Sequence, residues 1–274
     1  MPPAHTAQQK AAISGFQNFT SVDRNTALRF LKSNGWDTQT AVNSYFNNGG
    51  GGSAAPSAAK TNLGKMFDKY REDVANSPDT VGAEGLMRYL SDAKVDLEGL
   101  ETLAVLEIIQ APTMGEVTRE GFVDGWSILS CDSIDKQKTY IKNLKQTLPS
   151  NKEQYAKVYK HTFQLAKSPT QKGVPLDMAV TYWDLLFTSP LSAVKWTTDN
   201  TPWSAWWVEY LNSSWKKAVN KDMWNETLKF AQMTLEDEVM SFWNEEASWP
   251  SVIDDFVGWV KEKRGDVPAE TMEE

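Results

Sequence analysis

The stretch "NEEASWPSVIDDFVGWV", residues 244–260, sets two tryptophans, a proline and two adjacent aspartates close together. Pro250 after Trp249 suits the first turn of a helix, because its missing N–H is not needed there. Ile253, Phe256, Val257 and Val260 recur at helical spacing, which predicts a helix over Pro250–Lys263 with one buried stripe. Burial draws the indoles inward. Desolvating an unpaired carboxylate is costly, so Asp254 and Asp255 belong at the border of that stripe or outside it. A helix that meets both demands has a packed face and an acidic edge for a partner.

The same patterning extends N-terminally. Ten of the 12 tryptophans lie from Trp183 to Trp259. Most belong in a core, and a few suit interface anchoring. Apolar residues recur at i, i+3 and i+4 without strand-like alternation. This predicts further helices near Leu63–Ala75, Ala83–Leu90, Leu100–Gln110, Arg119–Ser130, Asp135–Leu148, Glu153–Lys167, Leu176–Leu186, Trp203–Val219 and Met223–Glu238. Gly265 suits the end of the last helix. The fold class is all-α.

The low-complexity run "NNGGGGSAAPSAAKTN", residues 47–62, buries too little to offset the entropy of ordering it. It predicts a flexible linker over 48–62, between a small domain at 1–47 and a large one at 63–265, with an acidic tail at 266–274. The small domain reads as three helices, near Gln8–Phe19, near Asn25–Ser33, and one capped by Asp37 or Thr38. A core this small suits recognition better than chemistry.

Charge is unevenly spread over a net of −8: residues 1–60 carry +3, residues 61–221 carry −1 and residues 222–274 carry −10. Such an acidic end reads either as a solvated tail or as a patch that steers a basic partner. It disfavours nucleic acid. One cysteine, Cys131, fits a reducing compartment. No apolar run reaches the ~18 residues needed to span a bilayer, so no membrane role is expected, and the expected location is cytoplasm and nucleus.

The residues needed for chemistry are few. Cys131, His5 and His161 cannot supply the usual zinc set. Cys131 reads as a small apolar turn residue and His161 as a helix-surface side chain. "CDSIDKQK" and "ASWPSVIDD" lack the central Gly of a calcium loop, and no phosphate-binding Gly-rich motif occurs. Asp254 and Asp255 are adjacent on a helix and diverge. No cofactor, metal or catalytic residue is expected, and the chain reads as a scaffold.

"WPSVIDDF" near the end, "GFVDGW" and "CDSIDK" in the middle and "QKGVPLDMAVTYWDLL" between them resemble the defective-in-cullin-neddylation family over nearly the full length. The large domain resembles its potentiating-neddylation domain, and the small one a ubiquitin-associated (UBA) domain. The resemblance implies EF-hand-like helix pairs lacking calcium ligands. It also implies a co-ligase that holds a cullin's C-terminal winged-helix region, the N-terminally acetylated neddylation E2 and, through the cullin, the RING subunit. Proximity of that kind accelerates transfer without reactive groups.

The resemblance also implies sites. A cullin-binding patch falls on Asp222, on Ser248 (where the family usually has Ala, with Ala247 one position earlier) and on Asp254. Asp222 also reads as an N-cap of the helix beginning at Met223. A pocket for the E2's acetylated first Met falls on Ala83, Leu86, Tyr89, Leu97, Leu103, Val105, Leu106, Met114, Val117, Leu165 and Leu185, any of which also reads as plain core. Binding of ubiquitin or a ubiquitin-like modifier falls on Phe19, Thr20, Ser21, Tyr45 and Phe46, where "FTS" departs from the Met-Gly-Phe turn common in UBA domains. Three other functions fit the same residues: a ubiquitin-binding adaptor, a divergent EF-hand-like sensor, and a ligase carrying a thioester on Cys131.

Overall fold

A computed structural model describes residues 6–20, 22–47, 58–168, 170–244, 246 and 248–265. The chain divides into two units, residues 1–57 and 58–274. Helices dominate both, as the apolar spacing predicts.

The first unit holds α1 (Ala7–Thr20), α2 (Arg24–Ser33) and α3 (Thr38–Asn47). Asp23 caps α2, its Oδ1 accepting the Asn25 and Thr26 amides at 2.8 and 3.1 Å. Asp37 rather than Thr38 caps α3, accepting the Thr40 amide at 2.6 Å. The turn between α2 and α3 carries two successive left-handed residues, Gly35 (φ 62°) and Trp36 (φ 66°). Phe16 stacks on Phe30 at 5.9 Å, and Tyr45 meets both edge-on at 5.8 and 5.3 Å, closing a small core with Ile13, Ala27, Leu31 and Ala41.

The second unit runs α4 (Ala58–Tyr70), β1 (Thr80–Val81), α5 (Ala83–Asp92), α6 (Leu100–Ile108), β2 (Val117–Thr118), α7 (Arg119–Ile128), α8 (Ile134–Thr147), α9 (Lys152–Ala166), α10 (Leu176–Thr188), α11 (Trp203–Tyr210), α12 (Lys221–Glu236) and α13 (Ser251–Arg264). Residues 58–62, read from sequence as linker, form the first turns of α4. Lys60 Nζ reaches Asp124 at 2.7 Å and Asn62 reaches Asp132 at 3.3 Å, which ties those turns to the α7–α8 region. The helix also stops at Tyr70 instead of Ala75. Just beyond it, the Glu72 carboxylate turns aside to accept the Gly82 and Gly85 amides at the start of α5.

Two-residue strands are too short to show an alternating pattern, and the sequence does not reveal β1 and β2. They pair antiparallel, Thr80 with Thr118 and Val81 with Val117, and join the helix–loop–helix pairs α4–α5 and α6–α7. These helices pack closely because two glycines permit it. A Cβ at Gly85 would lie 1.9 Å from the Tyr70 carbonyl oxygen, and one at Gly125 would lie 2.1 Å from that of Ile108.

The C-terminal half packs around aromatic rings. Trp183 stacks on Trp224 at 5.0 Å, and Phe256 of α13 lies among Trp207, Tyr210, Phe230 and Trp259 at 4.9 to 6.0 Å. Tyr159 hydroxyl accepts the Trp183 indole N–H at 2.7 Å and donates to the Trp224 carbonyl at 2.8 Å. In return the Trp224 indole donates to the Tyr159 carbonyl at 2.9 Å. The helix expected to continue to Val219 ends earlier. A π turn at Leu211–Trp215 and left-handed Lys216 (φ 54°) release the chain, so that Val219 can exchange two 2.8 Å backbone bonds with Val174.

Candidate functional site

The acidic C-terminal region separates into structural and free carboxylates. The N-cap of α12 is Asn220, whose Oδ1 accepts the Met223 amide at 2.8 Å. The capping role read for Asp222 is therefore corrected: the cap is two residues earlier, and Asp222 lies exposed in the first helical turn. Asp254 occupies the first turn of α13.

Asp254 is half-buried at the border of the stripe formed by Ile253, Phe256, Val257 and Val260, where the helical spacing puts it. Its Oδ1 accepts the Trp243 indole N–H at 2.9 Å. Lys261 Nζ lies 4.3 Å from the centre of the same indole, and Lys229 Nζ lies 4.5 Å from that of Trp249. Ser248 is exposed beside Trp249, and Ala247 lies outside the described residues. Phe230 of α12 holds the start of α13 in place through Trp249 (5.8 Å) and Phe256 (6.0 Å). Asp222 precedes Phe230 by eight residues, about 12 Å along the helix. The structure thus brings Trp243 to Asp254, and Trp249, next to Ser248 in sequence, packs on the same Phe230 that holds Phe256.

The residues expected to line the acetyl-methionine pocket divide. Leu86, Tyr89, Leu103, Val105, Leu106, Val117 and Leu165 are buried core, and Leu185 is half-buried. Ala83, Leu97 and Met114 are exposed. Leu86, Tyr89 and Val117 line a small apolar cavity with Phe67 and Phe122, but its volume of about 10 Å³ holds one water at most. The set is therefore not an open slot. Tyr89 is fixed there, its hydroxyl donating to Gln137 Oε1 at 3.0 Å, while Gln137 Nε2 donates to the Cys131 carbonyl at 3.1 Å.

In the small unit, Thr20 spends its hydroxyl on the Phe16 carbonyl at 2.7 Å. Tyr45 is half-buried against the core rings. Ser21 and the side chains of Phe19 and Phe46 lie outside the described residues. Cys131 is a buried turn residue, and burial pushes its thiol up from the ordinary value. His161 is not the surface side chain expected from sequence. It is half-buried, and burial lowers its pKa, opposed by a bond to the Ala111 backbone.

Residues 136–259 match the family model described as "Cullin binding", and residues 10–52 match that described as "UBA-like domain". "Defective in cullin neddylation protein 1" of Pyricularia oryzae is 36% identical, over 94% of this chain and 95% of its own length. The chain belongs to the defective-in-cullin-neddylation family. Proteins of the same name from Cryptococcus neoformans (31% identity, 92% of this chain, 94% of the relative) and Yarrowia lipolytica (28%, 91% and 96%) are also similar. Asp222, Ser248 and Asp254 all fall within the Cullin binding match, and the family's expected pocket residues from Ala83 to Val117 fall outside it.

Sequence reasoning missed Trp243 and Asn220. For Asn220 a signal existed: Asn is a strong N-cap, and "NKDM" places it three residues before Met223. For Trp243 there was none, because its partner lies 11 residues away across a turn.

Proposed function

We propose that this chain is a non-catalytic scaffold that promotes cullin neddylation. On this reading Asp222, Ser248 and Asp254 together bind basic side chains of a cullin's C-terminal winged-helix region. The observation that carries it is the release of Asp222 from capping duty, which leaves an exposed carboxylate with no internal partner among the described residues. The full-length family match and the Cullin binding match over these residues support it.

The second half of the reading is the E2. On this reading the exposed apolar residues Ala83, Leu97 and Met114 act with the buried Leu86, Tyr89 and Val117. An acetylated N-terminal Met carries no charge to desolvate, so it suits an apolar seat. Entry requires side chains to move, because the cavity lined by Leu86, Tyr89 and Val117 measures only about 10 Å³. Unbranched Met114 adapts readily to such a change. The RING subunit reaches the assembly through the cullin, and the small unit, on its linker, contributes contacts to ubiquitin or a ubiquitin-like modifier.

Two weak tethers suffice, because holding both partners raises their effective concentration for one another. The chain's part is orientation. The modifier leaves the E2 for a cullin lysine, and no group of this chain enters that exchange. The raised thiol of Cys131 disfavours a carrier role.

The test is a transfer assay with loaded E2, cullin and RING subunit, beside calorimetry with a cullin C-terminal fragment and with acetylated or free E2 peptide. The chain is expected to accelerate transfer and to bind the acetylated peptide more tightly than the free one. Unchanged transfer on adding it would exclude the scaffold reading.

A further inference from the structure

We propose that Trp243 is a positioning residue that aims Asp254 at a basic partner; this rests on the cullin-binding reading above. The geometry starts in the turn after α12. Asp237 Oδ2 accepts the Ser241 amide at 2.7 Å and its Oδ1 accepts the Val239 amide at 3.2 Å, pinning the turn. Met240, left-handed at φ 59°, is buried, and its carbonyl accepts the Trp243 amide at 3.0 Å. Phe242 anchors the same turn on Phe230 at 5.7 Å and Trp249 at 6.2 Å. The chain leading into Trp243, and the Trp243 amide itself, are thus held before its side chain makes any contact.

The indole then reaches across to Asp254. A carboxylate on the first turn of a helix otherwise rotates among several rotamers. The 2.9 Å bond from Nε1 to Oδ1 selects one and leaves Oδ2 for an incoming cation. Indole N–H is a donor only, so Trp243 cannot turn round and compete for that cation. Its ring face is also taken, since Lys261 stacks on it at 4.3 Å. Lys229 covers Trp249 in the same way. A partner's Lys or Arg that approaches this edge finds the two aromatic faces occupied and the Asp254 carboxylate preset. Orientation of this kind lowers the entropy lost on binding.

The test is a double-mutant cycle by calorimetry, on the full chain against a cullin C-terminal winged-helix fragment, with Trp243→Phe, Asp254→Ala and the pair. Trp243→Phe keeps the ring and the Lys261 stack but removes the N–H. It is expected to weaken binding about two- to tenfold, the worth of one hydrogen bond. In the Asp254→Ala background the same change is expected to do nothing more. An equal loss in both backgrounds would make Trp243 an independent contact and overturn the proposal.

If Asp254→Ala weakens binding while Trp243→Phe does not, the proposal fails and the cullin-binding reading stands. If Asp254→Ala leaves affinity unchanged, the reading falls and takes the proposal with it. Should Trp243→Phe fold poorly, native protein labelled with 15N at indole decides the matter. The Trp243 indole proton is expected to stay protected from solvent exchange when the fragment is added, and its exposure in the complex would overturn the proposal.

Discussion

Asn220, not Asp222, caps α12: its Oδ1 accepts the Met223 amide at 2.8 Å, and Asp222 two residues on faces solvent. The two residues therefore separate stability from binding. Asn220→Ala is expected to lower stability by about 1 kcal/mol, the usual worth of a cap, and to leave affinity for the cullin fragment unchanged. Asp222→Ala is expected to do the reverse, weakening the fragment and barely moving the denaturation midpoint. Urea melts and calorimetry on both variants check the pair.

Tyr159 ties three helices together through one hydroxyl and one carbonyl. Removing the hydroxyl leaves the buried Trp183 indole N–H without that partner and takes one of its bonds from the Trp224 carbonyl. Tyr159→Phe is expected to cost about 1–3 kcal/mol for the indole N–H left unmatched. Equilibrium urea unfolding followed by tryptophan fluorescence measures it, and a stability equal to that of the parent would refute the network's importance.

Acid should loosen the C-terminal turn. Glu238 accepts the Thr198 hydroxyl, with Thr201, Asn200 and Arg264 close by, and these hold its carboxyl below the ordinary 4.5. The folded state then binds the proton more weakly than the unfolded state does. Its contribution is complete above pH 4.5 and fades as pH falls through the depressed folded value. Asp237, lowered by Ser241, acts in the same sense. The melting temperature is expected to decline below about pH 4.5, and Glu238→Gln to flatten that decline. A variant with the parent's slope would remove Glu238 from the account.

Cys131 is expected to react slowly. It is buried, and its thiol is raised from the ordinary 9.0, so the thiolate at neutral pH is scarcer than in a free cysteine. Alkylation by iodoacetamide at pH 7.5 should lag well behind that of a denatured control, and Cys131→Ala should retain stimulated transfer. Rapid labelling together with an inactive alanine variant would restore the thioester reading.

Much of the helical architecture is legible in the residues themselves. Pro250, the stripe of Ile253, Phe256, Val257 and Val260, and Gly265 mark α13 almost to the residue, and its observed span is Ser251–Arg264. Such features act over one or two turns, so local spacing encodes them. The start of α4 was not legible. Ala58, Ala59 and Lys60 look like linker, and they are helical where Lys60 finds Asp124 and Asn62 finds Asp132, both far along the chain. The end of α11 was equally hidden, because Val219 leaves the helix to pair with Val174.

The site follows the same division. By itself, the sequence determined that Asp254 borders a buried stripe, that charge concentrates in the last fifth of the chain and which family the motifs resemble. These depend on helical periodicity, on simple counting and on the order of residues. Only the tertiary structure decided that Trp243 grips Asp254 and that most of the expected pocket residues are buried core. Each of those outcomes depends on which distant groups meet across a turn or a helix packing. That meeting is set by how some fifty buried side chains fill one shared volume, which no local window of sequence contains.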